Sequence, residues 1–195
     1  MRLVVGISGA SGAPYAKRML QRLAEQRSSH EVQVLLSRTA EQVWAHECDG
    51  HPRELGWPTF AGRDYDAACA SGSAGFEAMV VIPASMSCVA RVAHGISDDL
   101  LTRAADVVLK ERRKLIVVPR EAPYSALHME NMLALTRLGV LVIPASPAFY
   151  AHPTTIRDLL DTVIDRVFVH LGLSHSQKRW GYEVLSRHKT THGNA

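Results

Sequence analysis

Short apolar runs alternate along this chain with longer stretches of helical periodicity. The strand-like runs cover residues 2–7, 31–36, 78–82, 115–118 and 140–143. The helix-like segments cover residues 15–27, 38–46, 97–113, 125–138 and 154–167. Strands that alternate with helices usually pair in parallel, and the helices then cover both faces of the sheet. We therefore predict an α/β fold built on a doubly wound parallel sheet.

The segment 97–113 shows the charge order of a capped helix. Ser97 is the predicted N-cap, Asp98 and Asp99 stand in the first turn, and cationic residues gather at positions 110–113. This order matches the helix dipole. The two aspartates could instead bind a metal, but the helix dipole already accounts for their place in the first turn, and no H-x-x-x-H pair has cysteine or carboxylate support. We predict helix capping and no catalytic metal.

Length and composition limit the class of protein. The 195 residues suffice for one domain, placed at residues 1–171, followed by a tail at 172–195. The formal charge is +3 and the basic residues are scattered, which disfavours a nucleic-acid surface. The three cysteines form no C-x-x-C pair, as is typical of a reduced cytosolic protein. Apolar runs are too short for a signal peptide or a membrane span. We expect a cytoplasmic protein with neither nucleic-acid nor membrane partners.

Polar and charged residues follow the predicted strands where each strand ends. They are residues 8–12, Ser37, residues 85–88, Arg120 with Glu121, and Tyr150. The carboxyl ends of parallel strands lie at the same edge of a sheet, where ligands bind. Arg120 and Glu121 are the most informative, because an unpaired charge at a strand end has little structural use. We therefore predict a ligand site at this edge.

The loop GISGASG joins the first strand to a helix through glycine and serine. It matches neither G-x-G-x-x-G nor a Walker A loop. Its backbone N–H groups suit a phosphate or an anionic ring, although a tight turn alone would explain the same residues. Ser37 ends the second strand where an NAD-binding fold usually has Asp or Glu, which leaves a mononucleotide open. Arg38 keeps NADP as a minor option.

Five segments carry a family resemblance. They read GISGASGAPYAKRML, LLSRTAEQVWAHE, TRAADVVLKERRKLIVVPREAP, ENMLALTRLGVLVIPASPAFYAHP and DRVFVHLGL followed by KRWG. Together they resemble the flavin prenyltransferases, the UbiX-type proteins once described as aromatic acid decarboxylases. The resemblance implies a flavodoxin-like fold, a homododecamer and an FMN-binding transferase. It also implies that a dimethylallyl group passes from dimethylallyl monophosphate to N5 and C6 of reduced FMN, and that UbiD-type decarboxylases receive the prenylated FMN, in ubiquinone biosynthesis or aromatic acid decarboxylation.

The resemblance further implies roles for individual residues. FMN would bind to Gly9, Ala10, Ser11, Ser37, Ser85, Met86, Ser87, Cys88 and Arg120. The prenyl phosphate site would comprise Lys110, Arg120, Glu121, Tyr150, Arg166 and Trp180. The proton-handling residues would be Ser11, Glu47 and Glu121. Cys88 replaces the threonine of the family's S-x-x-T, so a threonine hydroxyl contact would be lost, whereas a backbone contact would remain.

Transfer from an allylic phosphate requires that the departing charge be neutralised. A chain without a metal site needs fixed cations and a proton donor for this purpose. Lys110, Arg120 and Arg166 can supply the cations, and Tyr150 and Glu121 the hydrogen bonds. Two alternatives stay open: a non-catalytic flavin carrier, and a flavin-dependent cysteine decarboxylase, although the latter would need an asparagine that the PASMS loop lacks.

Overall fold

Among residues 1–175, the part of the chain that the computed structural model describes, six parallel strands form one sheet. The strands are Arg2–Ile7 (β1), Glu31–Leu36 (β2), Thr59–Ala61 (β3), Ala78–Ala84 (β4), Lys114–Pro119 (β5) and Leu141–Val142 (β6). The α-helices are Ala13–Ala24 (α1), Ala40–Glu47 (α2), Met86–Ala93 (α3), Leu100–Lys110 (α4), Ala126–Arg137 (α5) and Ile156–Leu171 (α6). The predicted α/β fold with a parallel sheet is confirmed.

The chain divides into two compact units, Met1–Ala145 and Ser146–Ala195. The first unit contains β1 to β6 and α1 to α5, and the second contains α6. In the second unit, Thr155 is the N-cap of α6, and it forms a capping box with Asp158. No helix within residues 1–175 is both long enough and apolar enough to cross a membrane.

The strand order β3-β2-β1-β4-β5-β6 places a topological switch point between β1 and β4. From β1 the chain proceeds outward to β2, whereas from β4 it proceeds outward in the other direction to β5. A switch point of this kind opens a crevice outside the carboxyl ends of the two strands, and ligands bind there in doubly wound folds. Without the short edge strand β3, the order is that of a flavodoxin-like sheet.

The central strands are buried along almost their whole length. Val5 of β1, Val80 of β4 and Ile116 of β5 are each 0% exposed. Full burial of such an aliphatic side chain stabilises the fold by about 1.5–3 kcal/mol. Leu101 and Ala104 of α4 belong to the same apolar cluster as β4. The strand ends that carry the polar residues are therefore anchored in a packed core.

Several local features differ from the sequence prediction. The strand β3 was not predicted, since its three residues are half-buried at the sheet edge. The helix α3 was not predicted either, because the PASMS segment was interpreted as a loop. The predicted N-caps Ser97 and Thr154 are wrong, since α4 is capped by Asp99 and α6 by Thr155.

Asp99 holds the start of α4 through two kinds of hydrogen bond. Its carboxylate accepts from Thr102 N at 2.8 Å and from Arg91 Nη1 at 2.8 Å. Burial of the carboxyl group favours its neutral form, but these hydrogen bonds outweigh burial and hold the pKa of Asp99 below its usual range. Asp98 accepts from the same Arg91 nitrogen at 2.7 Å, yet its side chain is 53% exposed. Capping is thus confirmed for Asp99, and Asp98 forms a surface ion pair.

We expect Asp99→Ala to lower the free energy of unfolding by about 1–2 kcal/mol, because α4 loses its N-cap. Asp98→Ala is the matched control, and we expect it to cost less than about 0.5 kcal/mol, as exposed ion pairs do. Because the folded-state pKa of Asp99 is depressed, its contribution is present at neutral pH and is lost as the pH falls through that depressed value. Urea unfolding of both variants at pH 7 and at about pH 3 measures this difference. Equal costs for the two substitutions at pH 7 would contradict the prediction.

Candidate active site at the carboxyl edge of the sheet

Ser8 fastens the loop after β1 to the end of β4. Ser8 is buried, and its hydroxyl donates a hydrogen bond to Pro83 O at 2.8 Å. The same Oγ accepts from Ser85 N at 2.7 Å, and Ser8 N donates to Pro83 O at 3.2 Å. These bonds cross the switch point and fix the two walls of the crevice against each other. Sequence reasoning placed Ser8 at the strand end but gave it no role.

Glu47, the last residue of α2, organises the loop after β1. Its Oε2 accepts from Gly12 N at 2.7 Å and from Ala13 N at 2.9 Å. The N-cap of α1 is Gly12, which has no side chain to satisfy these N–H groups. The carboxylate of Glu47, which belongs to α2, therefore serves as the capping acceptor for α1. The Ser11 hydroxyl donates to the same carboxylate. Two predicted catalytic residues, Ser11 and Glu47, are thus brought together.

The electrostatic surroundings of Glu47 favour the carboxylate. Burial opposes ionisation, but hydrogen bonds from the Ser11 hydroxyl and the Gly12 and Ala13 N–H groups outweigh it, and the charge of Arg120 acts in the same direction. The pKa of Glu47 is therefore lowered. A carboxylate with a lowered pKa is an acceptor at neutral pH and a poor proton donor. This favours a role in orienting the Ser11 hydroxyl over a role as general acid.

Arg120 follows β5 directly and stands at the same edge. Its backbone N–H donates to Ala84 O at 3.2 Å, which ties the end of β5 to the end of β4. Its guanidinium interacts electrostatically with Glu47 and with Tyr15. Burial raises the pKa of the Tyr15 phenol, and the positive charge of Arg120 partly offsets this rise. The edge therefore holds a cation, a carboxylate, a hydroxyl and a phenol within interaction range.

A cleft of about 990 Å³ adjoins this group of residues. Its lining consists of Gly9, Ser37, Arg38, Thr39, Glu41, Ala61, Gly62, Arg63, Ser85, Ser87, Arg91, Asp98 and Asp99. Small-molecule sites typically have volumes of about 300–1,000 Å³. Ser37 is only 8% exposed, and its Oγ has no hydrogen-bond partner among the described residues. An unpaired buried hydroxyl costs about 1–3 kcal/mol, so an acceptor in the cleft would relieve that cost.

Gly9 allows the loop after β1 to approach the first turn of α2. A Cβ added to Gly9 would lie 2.7 Å from the Cβ of Thr39, closer than real Cβ atoms come. Any larger residue would push the loop away from Thr39. The close approach thus sets Gly9 and Thr39 side by side in the lining of the cleft.

The start of α3 presents two serines to the cleft and hides the residues that alternate with them. Ser85 is the N-cap of α3, and its Oγ accepts from Cys88 N at 3.3 Å. Ser85 and Ser87 line the cleft, whereas Met86 and Cys88 are buried in the apolar cluster. Burial raises the pKa of the Cys88 thiol to about 12. The replacement of threonine by Cys88 therefore changes a core side chain.

We expect Cys88→Thr to leave FMN affinity within about twofold and to lower the free energy of unfolding by about 1–3 kcal/mol. The second effect arises because the hydroxyl enters an apolar cluster. Cys88→Val, which adds no polar atom, is the matched control. Fluorescence titration with FMN and urea unfolding measure the two quantities. A large change in affinity at unchanged stability would show that residue 88 reaches the flavin through its side chain.

The predicted substrate residues of the first unit lie at opposite edges of the sheet. Glu121 is exposed next to Arg120, and its Oε1 accepts from Ala122 N at 3.0 Å. Lys110 ends α4 and pairs with Glu111 Oε1 at 2.5 Å. Lys110 precedes the six-residue strand β5, so it lies at the amino edge, about 20 Å from Arg120. One copy of the chain does not bring Lys110 to the site.

The remaining predicted substrate residues lie elsewhere in the chain. Tyr150 belongs to the loop that precedes α6, and Arg166 is an exposed residue of α6. Both are in the second unit. Trp180 lies outside the described residues.

Sequence reasoning missed several residues around the cleft. Thr39 and Arg63 received no role, and Arg38 was considered only for NADP. Arg91 could have been found, since it stands four residues after Ser87 and so shares its face of α3. Arg63 gave no sequence signal, because it follows the unpredicted strand β3.

Metal ligation is not supported at the two aspartates of the cleft. Asp98 and Asp99 both bind Arg91, and Asp99 also caps α4. Across residues 1–175, no group of three or more His, Cys, Asp or Glu side chains is placed to hold a metal ion.

The fold and the site together define an α/β flavoprotein. A family model described as Flavoprotein matches residues 1–168 of the chain. The chain is 44% identical over 184 residues to the flavin prenyltransferase UbiX of Thermoplasma acidophilum, with 92% of this chain and all of the relative covered. The chain belongs to the flavin prenyltransferase family, as its sequence motifs predicted.

Two solved structures agree with this assignment. A dodecameric FMN-dependent UbiX-like decarboxylase from Escherichia coli O157:H7 is 42% identical and superposes with a TM-score of 0.88, covering 92% of this chain and 99% of that chain. A complex of AnUbiX (PadA1) with FMN and dimethylallyl pyrophosphate is 37% identical, with a TM-score of 0.86 and coverage of 91% and 97%. The flavodoxin-like fold expected from the motifs is confirmed.

Proposed function

We propose that this protein is a flavin prenyltransferase that joins the dimethylallyl group of dimethylallyl monophosphate to N5 and C6 of reduced FMN. The observation that carries the proposal is the juxtaposition of Ser11, Glu47 and Arg120 beside a cleft that contains the unpaired hydroxyl of Ser37. The cleft has the volume of a small-molecule site, and the relative AnUbiX binds FMN and dimethylallyl pyrophosphate.

The flavin is held, in this proposal, by the three loops that meet at the switch point. Gly9, Ala10 and Ser11 provide the loop after β1, Ser37 follows β2, and residues 85–88 form the N-cap and first turn of α3. Arg120 offers a cation beside the ring. Bound reduced FMN supplies the nucleophilic positions N5 and C6, and the protein supplies orientation and charge around them.

Departure of the prenyl phosphate depends on cations and hydrogen-bond donors. Arg120 neutralises its charge, and Glu121 orients it or protonates it. Tyr150, Arg166 and Trp180 remain proposed contacts of the prenyl phosphate. Lys110 can act only from another copy of the chain, because it lies at the amino edge of its own sheet.

The wider setting follows from the family. We propose a cytoplasmic homo-oligomer, as in the dodecameric relative, that passes prenylated FMN to a UbiD-type decarboxylase. The cysteines Cys48, Cys69 and Cys88 are free, in line with a reducing compartment. Leu127 and Leu133 of α5 are 61% and 49% exposed, in line with burial between subunits. Residues 1–171 remain the proposed FMN-binding domain, with 172–195 as its tail.

Mass spectrometry of the bound flavin tests the proposal. The protein is incubated without oxygen with reduced FMN and dimethylallyl monophosphate, in the presence of EDTA, and the flavin is released by denaturation. We expect a flavin heavier by one dimethylallyl unit, and unmodified FMN when the prenyl phosphate is omitted. Bound but unmodified FMN in both samples would favour a flavin carrier. Turnover of a cysteine-containing peptide supplied in a parallel sample would instead favour a decarboxylase.

A further inference from the structure

We propose that Arg63, a residue without an assigned role, binds the phosphate monoester of FMN and makes the cleft select FMN over riboflavin. This inference rests on the proposed function and deepens it. It concerns the end of the cleft formed by Ser37, Arg38, Thr39 and the turn after β3, which we call the phosphate end.

The direction of the flavin follows from the two ends of the site. The reacting ring has to lie beside Ser11, Glu47 and Arg120, because these groups act on it. The ribityl phosphate must then extend away from them, past Gly9 and into the cleft. It reaches the phosphate end, where the unpaired hydroxyl of Ser37 lies.

The side chain of Arg63 is held at the phosphate end by one of its nitrogen atoms. Its Nε donates to Asp98 O at 3.2 Å, and this is the one hydrogen bond of its side chain within residues 1–175. The preceding residue is fixed as well, since Gly62 O accepts from Leu100 N at 2.9 Å. The two Nη groups of Arg63 therefore remain available on an anchored side chain. A guanidinium presented in this way suits the paired oxygens of a phosphate.

The acidic residues of the cleft do not bind the side chain of Arg63 through their carboxylates. Asp98 and Asp99 both accept from Arg91 Nη1, at 2.7 and 2.8 Å, whereas Arg63 donates to the backbone carbonyl of Asp98. Glu41 lies 3.6 Å from His51 Nε2. Arg38 adds a second guanidinium at the phosphate end, next to Ser37. A dianionic monoester placed there meets two cations and one hydroxyl donor.

The test compares FMN with riboflavin, which differ only by the phosphate. Dissociation constants are measured by flavin fluorescence for the wild-type chain, Arg63→Gln and Arg63→Lys. We expect Arg63→Gln to weaken FMN about tenfold and to leave riboflavin within about twofold. Arg63→Lys keeps the charge but not the fork, and we expect it to recover much of the FMN preference. Arg137→Gln, an exposed change on α5 with the same loss of charge, is the matched control and should alter neither constant.

Each other outcome counts against the inference. Equal weakening of both ligands by Arg63→Gln would mean that Arg63 only supports the turn after β3. An unchanged dissociation constant for FMN in Arg63→Gln would show that Arg63 does not contribute to FMN binding. A wild-type chain that binds riboflavin as tightly as FMN would show that the cleft does not recognise the phosphate. The proposed function would not be affected by that result. A wild-type chain that binds neither flavin would overturn both proposals.

Discussion

Glu47→Gln is expected to slow prenyl transfer about 100-fold while the protein still folds. Glutamine can still accept from Gly12 N and Ala13 N through its amide oxygen, so the start of α1 stays capped. Its amide N–H₂ group, however, would face the Ser11 hydroxyl that now donates to the carboxylate. The glutamine N–H would then donate to Ser11 Oγ, and the Ser11 hydroxyl would have to donate its proton to a different acceptor. The loss would therefore fall on the rate more than on stability.

Single-turnover flavin spectroscopy without oxygen measures this rate. Glu25→Gln at the end of α1 is the matched control, because its side chain is 64% exposed and should be silent. Since the pKa of Glu47 is lowered, the group stays ionised at neutral pH, and the wild-type rate should show no titration of Glu47 between about pH 6 and 8. A wild-type rate in Glu47→Gln would reduce Glu47 to a cap for α1.

Glu121→Gln is expected to slow prenyl transfer at least about tenfold, because the side chain keeps its shape but can no longer transfer a proton to the departing phosphate. FMN affinity should be unchanged, since Glu121 is assigned to the prenyl phosphate. The hydrogen bond from Ala122 N to residue 121 can form with glutamine as well, so the local backbone should persist.

Stopped-flow measurements with saturating prenyl phosphate separate the chemical step from binding. Glu130→Gln on α5 removes the same charge at an exposed position and should leave the rate unaltered. Equal rates in Glu121→Gln and the wild-type chain would assign Glu121 a purely structural part beside Arg120.

The central sheet could be predicted because its strands are continuous apolar runs. The bounds predicted for β1 and β2 agree with the structure, and β5 differs by one residue at each end. The strand β3 could not be predicted, since three half-buried residues at an edge leave no periodic signal. The helix α3 was hidden because it starts immediately after β4, without an intervening loop. Local sequence cannot show where a buried run changes from strand to helix.

The candidate site was predictable to the extent that strand ends meet at one edge. Ser11 and Arg120 were located in this way, and the family motifs added Glu47. The direction of a side chain was not accessible, which is why the burial of Cys88 emerged only from the structure. Nor could the sequence show that Lys110 lies at the amino edge of the sheet. A cationic residue at the end of a helix cannot be told from one at the end of a strand by its charge alone.

The hydrogen bonds of Ser8 also constrain when the site can form during synthesis. Ser8 leaves the ribosome early, but its partners Pro83 and Ser85 are 75 and 77 residues further along the chain. At about 5–20 residues per second, translation needs roughly 4–15 s to supply them. Until then β1 lacks its β4 neighbour, and the backbone N–H and C=O groups along that edge of β1 are without their strand partner. The flavin loops of a nascent chain are therefore incomplete over this interval, and cofactor loading is confined to chains that have been translated well past β4.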